Sequence, residues 1–217
     1  MSTFLRKKGG YRNLRVYRLT EIIYDLTMIF AKQYIRPGSR TRDQMEQAAR
    51  SGKQNIAEGS AAALTSSETE IKLTNVAKAS LEELLLDYED YLRQNNLSQW
   101  DKDNPRTIKL REYLRSEGFM ANPTEFASKM NVEEFCNLCI TLINQATYLL
   151  RHLIDKQQEQ FLQDGGIREQ MHAARVQYRK MAGNWAEQAK SSDNSDSSDG
   201  SDWSDWSDWS ERPDDKH

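Results

Sequence analysis

Two cysteines among 217 residues are too few for a disulfide framework, so a reducing, cytoplasmic setting is expected. Proline and glycine are sparse, at four and ten residues, which leaves long stretches without helix breakers. No apolar run approaches the roughly 18–20 residues of a membrane span. The basic N-terminus lacks the apolar stretch of a signal peptide, so no membrane partner is expected. The phosphate-binding GxxxxGK-S/T, a GxGxxG after a strand, HExxH and GxSxG are all missing. None of His152, His172 and His217 has a Cys or carboxylate at a spacing that defines a nucleophile pair. No catalytic residue, cofactor or metal is therefore expected, and an enzyme has almost nothing to stand on.

The charge is unevenly spread. The chain has 30 Lys and Arg against 33 Asp and Glu, net −3. Residues 191–217 hold nine acids and two bases, net −7, so the remainder carries 28 bases and 24 acids, net +4. The acidity belongs to the tail, and the body is mildly basic.

Helical periodicity organises the body. From Asn13 to Ile35, Leu19, Ile22, Ile23, Leu26, Ile29 and Phe30 recur at steps of three and four, until Pro37-Gly38 stops the run. Thr41 followed by Gln44 resembles a capping box. Met45, Ala48, Ala49, Gly52 and Ile56 then form a stripe of mostly small residues that admits a close neighbour, with Gly59 as the expected terminator. Ser67-Glu68-Thr69-Glu70 opens a long helix to about Gln94, with Ile71, Thr74, Ala77, Leu81, Leu84, Leu85, Tyr88 and Leu92 on one face. Residues 97–130 form a less regular insert rich in turn chemistry, with a short helix expected from Thr107 to Ser116. Asn131 with Glu134 opens the next helix, to about Leu162. Its apolar surface, from Phe135 to Leu153, is wider than one stripe, so burial on more than one side is expected. Gly165-Gly166 breaks the chain. Ile167, Met171, Ala174, Tyr178, Met181 and Trp185 then step by four and three along a further helix. From Lys190 onward Ser, Asp, Gly and Trp dominate, a composition that cannot form a core and reads as disordered. No strand-like alternation occurs.

The expected organisation is thus all-α: a basic N-terminal arm (1–12), a bundle of four helices (13–163), a suffix helix (164–190) and a disordered acidic tail (191–217).

Four features carry chemistry. Arg6, Lys7, Lys8, Arg12, Arg15 and Arg18 cluster without an acid and with Tyr11 and Tyr17 interleaved. Such a cluster either contacts phosphates and bases or is simply a solvated arm. Arg40, Arg42, Arg50 and Lys53 are weaker candidates for the same role. Cys136 and Cys139 form a CxxC on an apolar face; core packing competes there with a redox or metal role, and a closed zinc site would need a second pair from another subunit. Asn55 and Glu58 lie on adjoining positions of one surface, where polar groups bond backbone or side chains across helices, or hold a ligand. The tandem Ser201-Asp202-Trp203, Ser204-Asp205-Trp206 and Ser207-Asp208-Trp209 is either neutral low complexity or a set of aromatic anchors, which also competes with phosphate for the basic arm.

Gln47-Ala48-Ala49-Arg50-Ser51 followed by Gln54-Asn55-Ile56-Ala57-Glu58-Gly59 resembles the signature LRRAA-S-x-x-x-N-IAEG. That signature marks the four-helix-bundle family of 23S ribosomal RNA intervening-sequence proteins. Glu70, Ile71, Ala77, Ser80, Glu83 and Leu84 match the pattern that follows it, and Leu14 through Phe30 is similar to the family's first helix. Cys136 to Arg151, with Gly165-Gly166-Ile167-Arg168-Glu169, looks like the branch that carries a four helix bundle suffix. The resemblance covers about residues 12–185. It implies an antiparallel up-and-down four-helix bundle that assembles into a ring, often a homopentamer. It also assigns Asn55, Ile56, Ala57, Glu58 and Gly59 to a structural motif. Relatives include the accessory variability determinant of diversity-generating retroelements, a basic pentamer that binds a reverse transcriptase and nucleic acid; none is known as an enzyme. The insert at 97–130 and the acidic Trp tail depart from the family pattern.

The functional expectation is a non-catalytic homo-oligomeric scaffold whose basic surface holds RNA, DNA or a nucleic-acid enzyme such as a reverse transcriptase. The competing expectation is a protein–protein adaptor without nucleic acid, recruiting partners through the suffix helix and the acidic Trp tail. The breadth of the apolar surface over residues 132–154 and the suffix stripe exceed what one bundle must hide, which favours the oligomer.

Overall fold

The computed structural model describes residues 10–127 and 129–193. Arg6, Lys7, Lys8 and the Ser-Asp-Trp repeats lie outside the described residues. The chain divides into two compact units, Met1–Gln170 and Met171–His217. Every regular element among the described residues is helical, with no strand. No described helix is long and apolar enough to cross a membrane.

In the first unit a 3-10 turn (Tyr11–Asn13) leads into α1 (Arg15–Tyr34), α2 (Arg40–Ala62) and α3 (Ser67–Gln94). Three short helices follow, α4 (Pro105–Tyr113), α5 (Glu117–Ala121) and α6 (Pro123–Ala127), and then α7 (Val132–Asp164). α1 packs on α2 and α7, and α3 packs on α2 and α7. Their relative directions follow from their contacts. Gly59 lies against Glu70 while Gly52 lies against Leu81, so α2 and α3 run antiparallel. Gln157, late in α7, bonds Glu70, early in α3. Phe135, early in α7, meets Phe30 and Tyr34, late in α1.

Phe30 ties three helices together. Its ring centroid lies 4.9 Å from that of Tyr88, 5.0 Å from Tyr91 and 5.6 Å from Phe135, all within the offset or edge-on range that aromatic pairs favour. Beside it the Tyr88 hydroxyl donates to Thr27 Oγ1 at 3.1 Å, and Thr27 passes its own proton to the Ile23 carbonyl at 2.7 Å. This fully buried phenol is thereby satisfied, which offsets the cost of burying it.

Several helix ends differ from the sequence expectation. Thr41 does not cap α2: the turn closes on Ser39, whose carbonyl accepts from Arg42 and Asp43, because the chain enters the helix directly from Gly38. Gly59 does not end α2 either. The helix continues to Ala62, and Gly59 is buried with the Glu70 carbonyl 3.3 Å from where a Cβ would stand, so it serves close approach. The cap of α3 is Ser66, one residue earlier than expected, with its Oγ accepting from Thr69 N at 3.1 Å. α4 starts at Pro105 under an Asn104 cap, earlier than Thr107 and ending before Ser116. The Asn131–Glu134 capping box of α7 forms as expected. Gly165, at φ 69°, breaks the chain after α7, a conformation that L side chains rarely adopt.

The width of α7's apolar surface has its answer inside the chain. From Phe135 to Ile143 every residue is buried, including Asn137 and Thr141. The outer side is covered by the insert, whose Leu110, Leu114 and Phe119 are buried in the same core. The sequence reading assigned this surplus surface to a subunit contact; the insert takes up its N-terminal half instead.

The second unit is represented by the rest of α8 (Ile167–Asp193), which runs three residues into the expected tail. Met171, Tyr178, Met181 and Trp185 are exposed along it, Tyr178 and Trp185 by 71% and 70%.

The α2–α3 seam is the tightest packing in the first unit. A Cβ built at Gly52 would sit 2.6 Å from Leu81 Cδ2, and Leu81 is completely buried. Gly52→Ala is therefore expected to lower stability in urea melts by about 1–3 kcal/mol through overpacking. It does so although Ala is the better helix former by about 1 kcal/mol. Gly183→Ala, where a Cβ meets nothing, serves as the control and is expected not to destabilise. Equal effects at the two sites would refute the packing argument.

Candidate functional site

The insert does more than cover α7. Asn137, 2% exposed, accepts from Trp100 N at 2.8 Å and donates to the Ser98 carbonyl at 2.9 Å. Glu133, one turn earlier, accepts from Trp100 Nε1 at 3.0 Å and from Ser98 N at 3.1 Å. The Trp100 bond, then the Ser98 bond, hold the Glu133 carboxyl below its ordinary range. Arg106 stacks its guanidinium over the Trp100 ring at 5.4 Å and approaches Glu133 at 3.6 Å. These contacts pin residues 98–106 against α7, and a cleft lies between the insert, α7 and the start of α1.

The cleft has a volume of about 660 Å³ and is lined by Arg15 from α1, by Lys102, Thr107, Arg111 and Arg115 from the insert, and by Asn144, Gln145 and Tyr148 from α7, among others. Four of these are cations. Asp101 is the one acid in the lining, and among the described residues no carboxylate comes within ion-pairing distance of Arg15, Lys102, Arg111 or Arg115. Arg111 is used locally, donating to the Lys102 carbonyl at 3.2 Å. Like charges gathered without counter-charge repel one another, and an anionic ligand relieves that repulsion. A second observation points the same way. Thr107 is 4% exposed, and its hydroxyl has no hydrogen-bond partner among the described residues. An orphaned buried hydroxyl costs about 1–3 kcal/mol, which a ligand oxygen can recover. Tyr148 stands at the cleft 59% exposed, its ring edge-on to His152 with centroids 4.4 Å apart.

The residues expected from sequence are only partly gathered here. Of the N-terminal cluster, Arg12, Arg15 and Arg18 are exposed, and Arg15 enters the cleft; Arg6, Lys7 and Lys8 lie outside the described residues. Arg18 donates to the Arg12 carbonyl at 3.3 Å, folding the turn onto the helix. The four candidates on α2 are spread along it. Arg42 pairs with Glu46 at 3.0 Å, and Lys53 lies over the Tyr24 ring at 4.1 Å. Arg40 lines a separate groove together with Asp43 and Glu83, where its charge is balanced, and Arg50 is exposed. α1 and α2 cross antiparallel, so Arg40 and Arg42 sit near the opposite end of α1 from Arg15, roughly 30 Å away for a 20-residue helix. Lys102, Arg111 and Arg115 were not singled out from sequence. The local signal was a run of bases at 102, 106, 109, 111 and 115, interrupted by Asp103 and Glu112.

The NIAEG element is structural in its contacts. Ile56 and Gly59 are buried, Ala57 is half-buried and Glu58 is exposed. Asn55 donates to the Ser51 carbonyl and to Ser51 Oγ, and Ser51 in turn shares a 2.8 Å hydrogen bond with Ser80 on α3. Asn55 therefore bonds within its own helix, and the link across helices runs through Ser51. Glu58 takes no cross-helix bond among the described residues; it accepts from Gln54 at 3.0 Å.

Cys136 and Cys139 are buried free thiols, with Cys139 beside the Tyr88 hydroxyl. Burial pushes both thiols up, Cys139 to about 12, which keeps them protonated and unreactive as core groups. Among the described residues no group of three or more His, Cys, Asp or Glu side chains is placed to hold a metal ion.

One carboxylate outside the cleft is perturbed. Asp87 on α3 is pushed up from 3.8 to about 6, first by burial and then by Glu83 and Asp90, and its Oδ2 is buried without a hydrogen-bond partner among the described residues. The folded state thus holds this proton more tightly than the unfolded chain does. The stabilisation is full below about pH 4 and is lost as pH rises through about 6. Asp87→Asn is expected to remove that loss, so that the variant gains on the wild type between about pH 4 and 7 in thermal melts. Parallel curves for the two proteins would show that the proton is not linked to folding.

Comparison with known protein families, with curated proteins and with solved structures finds no match to this chain.

Proposed function

We propose that this protein is a non-catalytic scaffold that holds nucleic acid, or an enzyme acting on nucleic acid, through a basic surface. The observation that carries the reading is the cleft's four cations without a paired acid, beside a buried hydroxyl without a partner. Arg15 lines this cleft and belongs in sequence to the N-terminal basic cluster, of which Arg12 and Arg18 are also exposed at the start of α1. Phosphate oxygens satisfy every element of it: charge, hydrogen-bond acceptors for Arg and Lys, and an acceptor for the Thr107 hydroxyl.

The pairwise packing of α1, α2, α3 and α7 supports reading the first unit as an up-and-down four-helix bundle, with α8 as its suffix helix. That arrangement, together with the motif over Gln47–Gly59, supports kinship with the intervening-sequence family and a homo-oligomeric ring, five-membered by that resemblance. The stripe on α8 favours self-association on its own account. Met171, Tyr178, Met181 and Trp185 step by seven, three and four, the spacing of a helix that seats against another helix. The same stripe also serves the second reading, an adaptor that recruits a protein partner without nucleic acid.

Two measurements test these readings. Retention of generic RNA or DNA is expected at low salt and is expected to fall steeply as salt rises. Replacing Arg6, Lys7, Lys8, Arg12, Arg15 and Arg18 by Ser is expected to weaken binding across sequences and flatten that slope. Absence of retention by the unaltered protein would favour the adaptor. Sedimentation at micromolar concentration is expected to show a discrete oligomer, and monomer alone would refute the ring.

A further inference from the structure

The cleft has a shape and a chemistry that narrow its ligand further, on the basis of the nucleic-acid reading above. The geometry points to a binding site for a single-stranded segment, with phosphates along Arg15, Lys102 and Arg115 and one base on the exposed Tyr148 ring.

Phosphate contacts alone do not distinguish single strands from duplexes, because both present the same charged backbone. The α7 wall supplies the distinction. Asn144 and Gln145, with Tyr148 one turn later on the same helix, line the cleft together, an aromatic ring beside two carboxamides. Carboxamides offer both donors and acceptors, which suits base edges. An aromatic ring exposed among cations is the arrangement on which unpaired bases stack. In a duplex the base faces are stacked on their neighbours, so a duplex reaches the cations, and its groove edges can meet carboxamides, but it leaves the Tyr148 ring without a base to stack. The volume of about 660 Å³ falls in the range of sites that enclose a small organic molecule, and it is too small to take in a double helix about 20 Å across. Thr107 lines the cleft, and a turn of its side chain would offer its buried hydroxyl, which has no partner among the described residues, to a phosphate oxygen.

An acidic protein segment would also satisfy the cations, but it has no group that calls for an exposed tyrosine flanked by carboxamides. A free nucleotide shares the strand's chemistry and differs from it in having no chain of phosphates to engage Arg15, Lys102 and Arg115 together.

Fluorescence anisotropy with a labelled single strand of about 12 nucleotides, and with the duplex of the same sequence, tests the assignment on the full-length protein. The single strand is expected to bind at least about tenfold more tightly at the same salt. Tyr148→Ala, a change at an exposed position, is expected to weaken the single strand by about tenfold or more while leaving the duplex unchanged. Lys102→Ser with Arg115→Ser is expected to lower the single-strand salt slope by about 1.4, as two lost phosphate contacts require. Circular dichroism on each variant checks that its helix content is intact. If the unaltered protein binds neither strand at low salt, the nucleic-acid reading fails and this assignment with it. If both forms bind equally and Tyr148→Ala changes neither, nucleic acid is held elsewhere and the cleft assignment alone is overturned. Displacement of the strand by millimolar mononucleotide would assign the cleft to a free nucleotide. Displacement by polyglutamate of equal charge would assign it to an acidic protein. Either result overturns the single-strand site.

Discussion

The arrangement around the cleft depends on one buried carboxamide. Asn137 lies on the outward side of α7, where a leucine would simply be covered, and it uses its amide to grip the chain that follows α3. It also donates to the Glu133 carbonyl at 2.8 Å, so both its hydrogens and its oxygen are engaged. A buried amide is costly unless its groups are satisfied, and here satisfaction requires the backbone of Ser98 and Trp100 at one place only. An apolar contact tolerates sliding; this set of bonds does not. Glu133 repeats the fixation one turn earlier, and Trp100 spans the two, donating its backbone N–H to Asn137 and its indole N–H to Glu133. The insert is therefore held in register on α7, and α4 and its cations inherit their position from that register.

The opposite side of the first unit is built on a different constraint, the absence of side chains. Gly52 and Gly59 let α2 lie on α3 so closely that Leu81 occupies the space a Cβ would take at Gly52, and the Glu70 carbonyl crowds that space at Gly59. Ser51 and Ser80 exchange a hydrogen bond across the same seam. Small residues hold one face of the unit together, and an Asn–Glu–Trp set organises the other. The groove on the first face is lined by Asp43 and Glu83 as well as Arg40, whereas the cleft on the second gathers four cations with one acid.

Much of the helical layout is legible in the sequence because it rests on local periodicity. Leu19 through Phe30 and Thr74 through Leu92 repeat at helical spacing, and Asn131 with Glu134 announces the start of α7. Helix ends were less legible. A glycine such as Gly59 reads as a terminator in isolation, and only its neighbour on α3 shows that it is needed for proximity. The cleft was largely hidden. Arg15 stands out in a basic N-terminus, but Lys102, Arg111 and Arg115 follow it by roughly 90–100 residues and are interspersed with acids. Their meeting depends on Asn137 and Glu133 holding the insert, and those two read in sequence as unremarkable members of a long helix.

The seam between α2 and α3 has a consequence for how the chain acquires its structure. These two helices are joined by the four residues 63–66 and share the most extensive contact of any helix pair in the first unit. Their meeting closes only a short loop, so it sacrifices little chain entropy before packing energy is returned. α1 joins from the adjacent sequence, whereas α7 reaches its place across the whole insert. The order of assembly this favours is a helical hairpin first and the α7 wall last, with the cleft among the final features to exist. A chain emerging from synthesis would thus present its glycine seam closed and its basic cleft unformed, so any ligand of that cleft meets only a completed first unit.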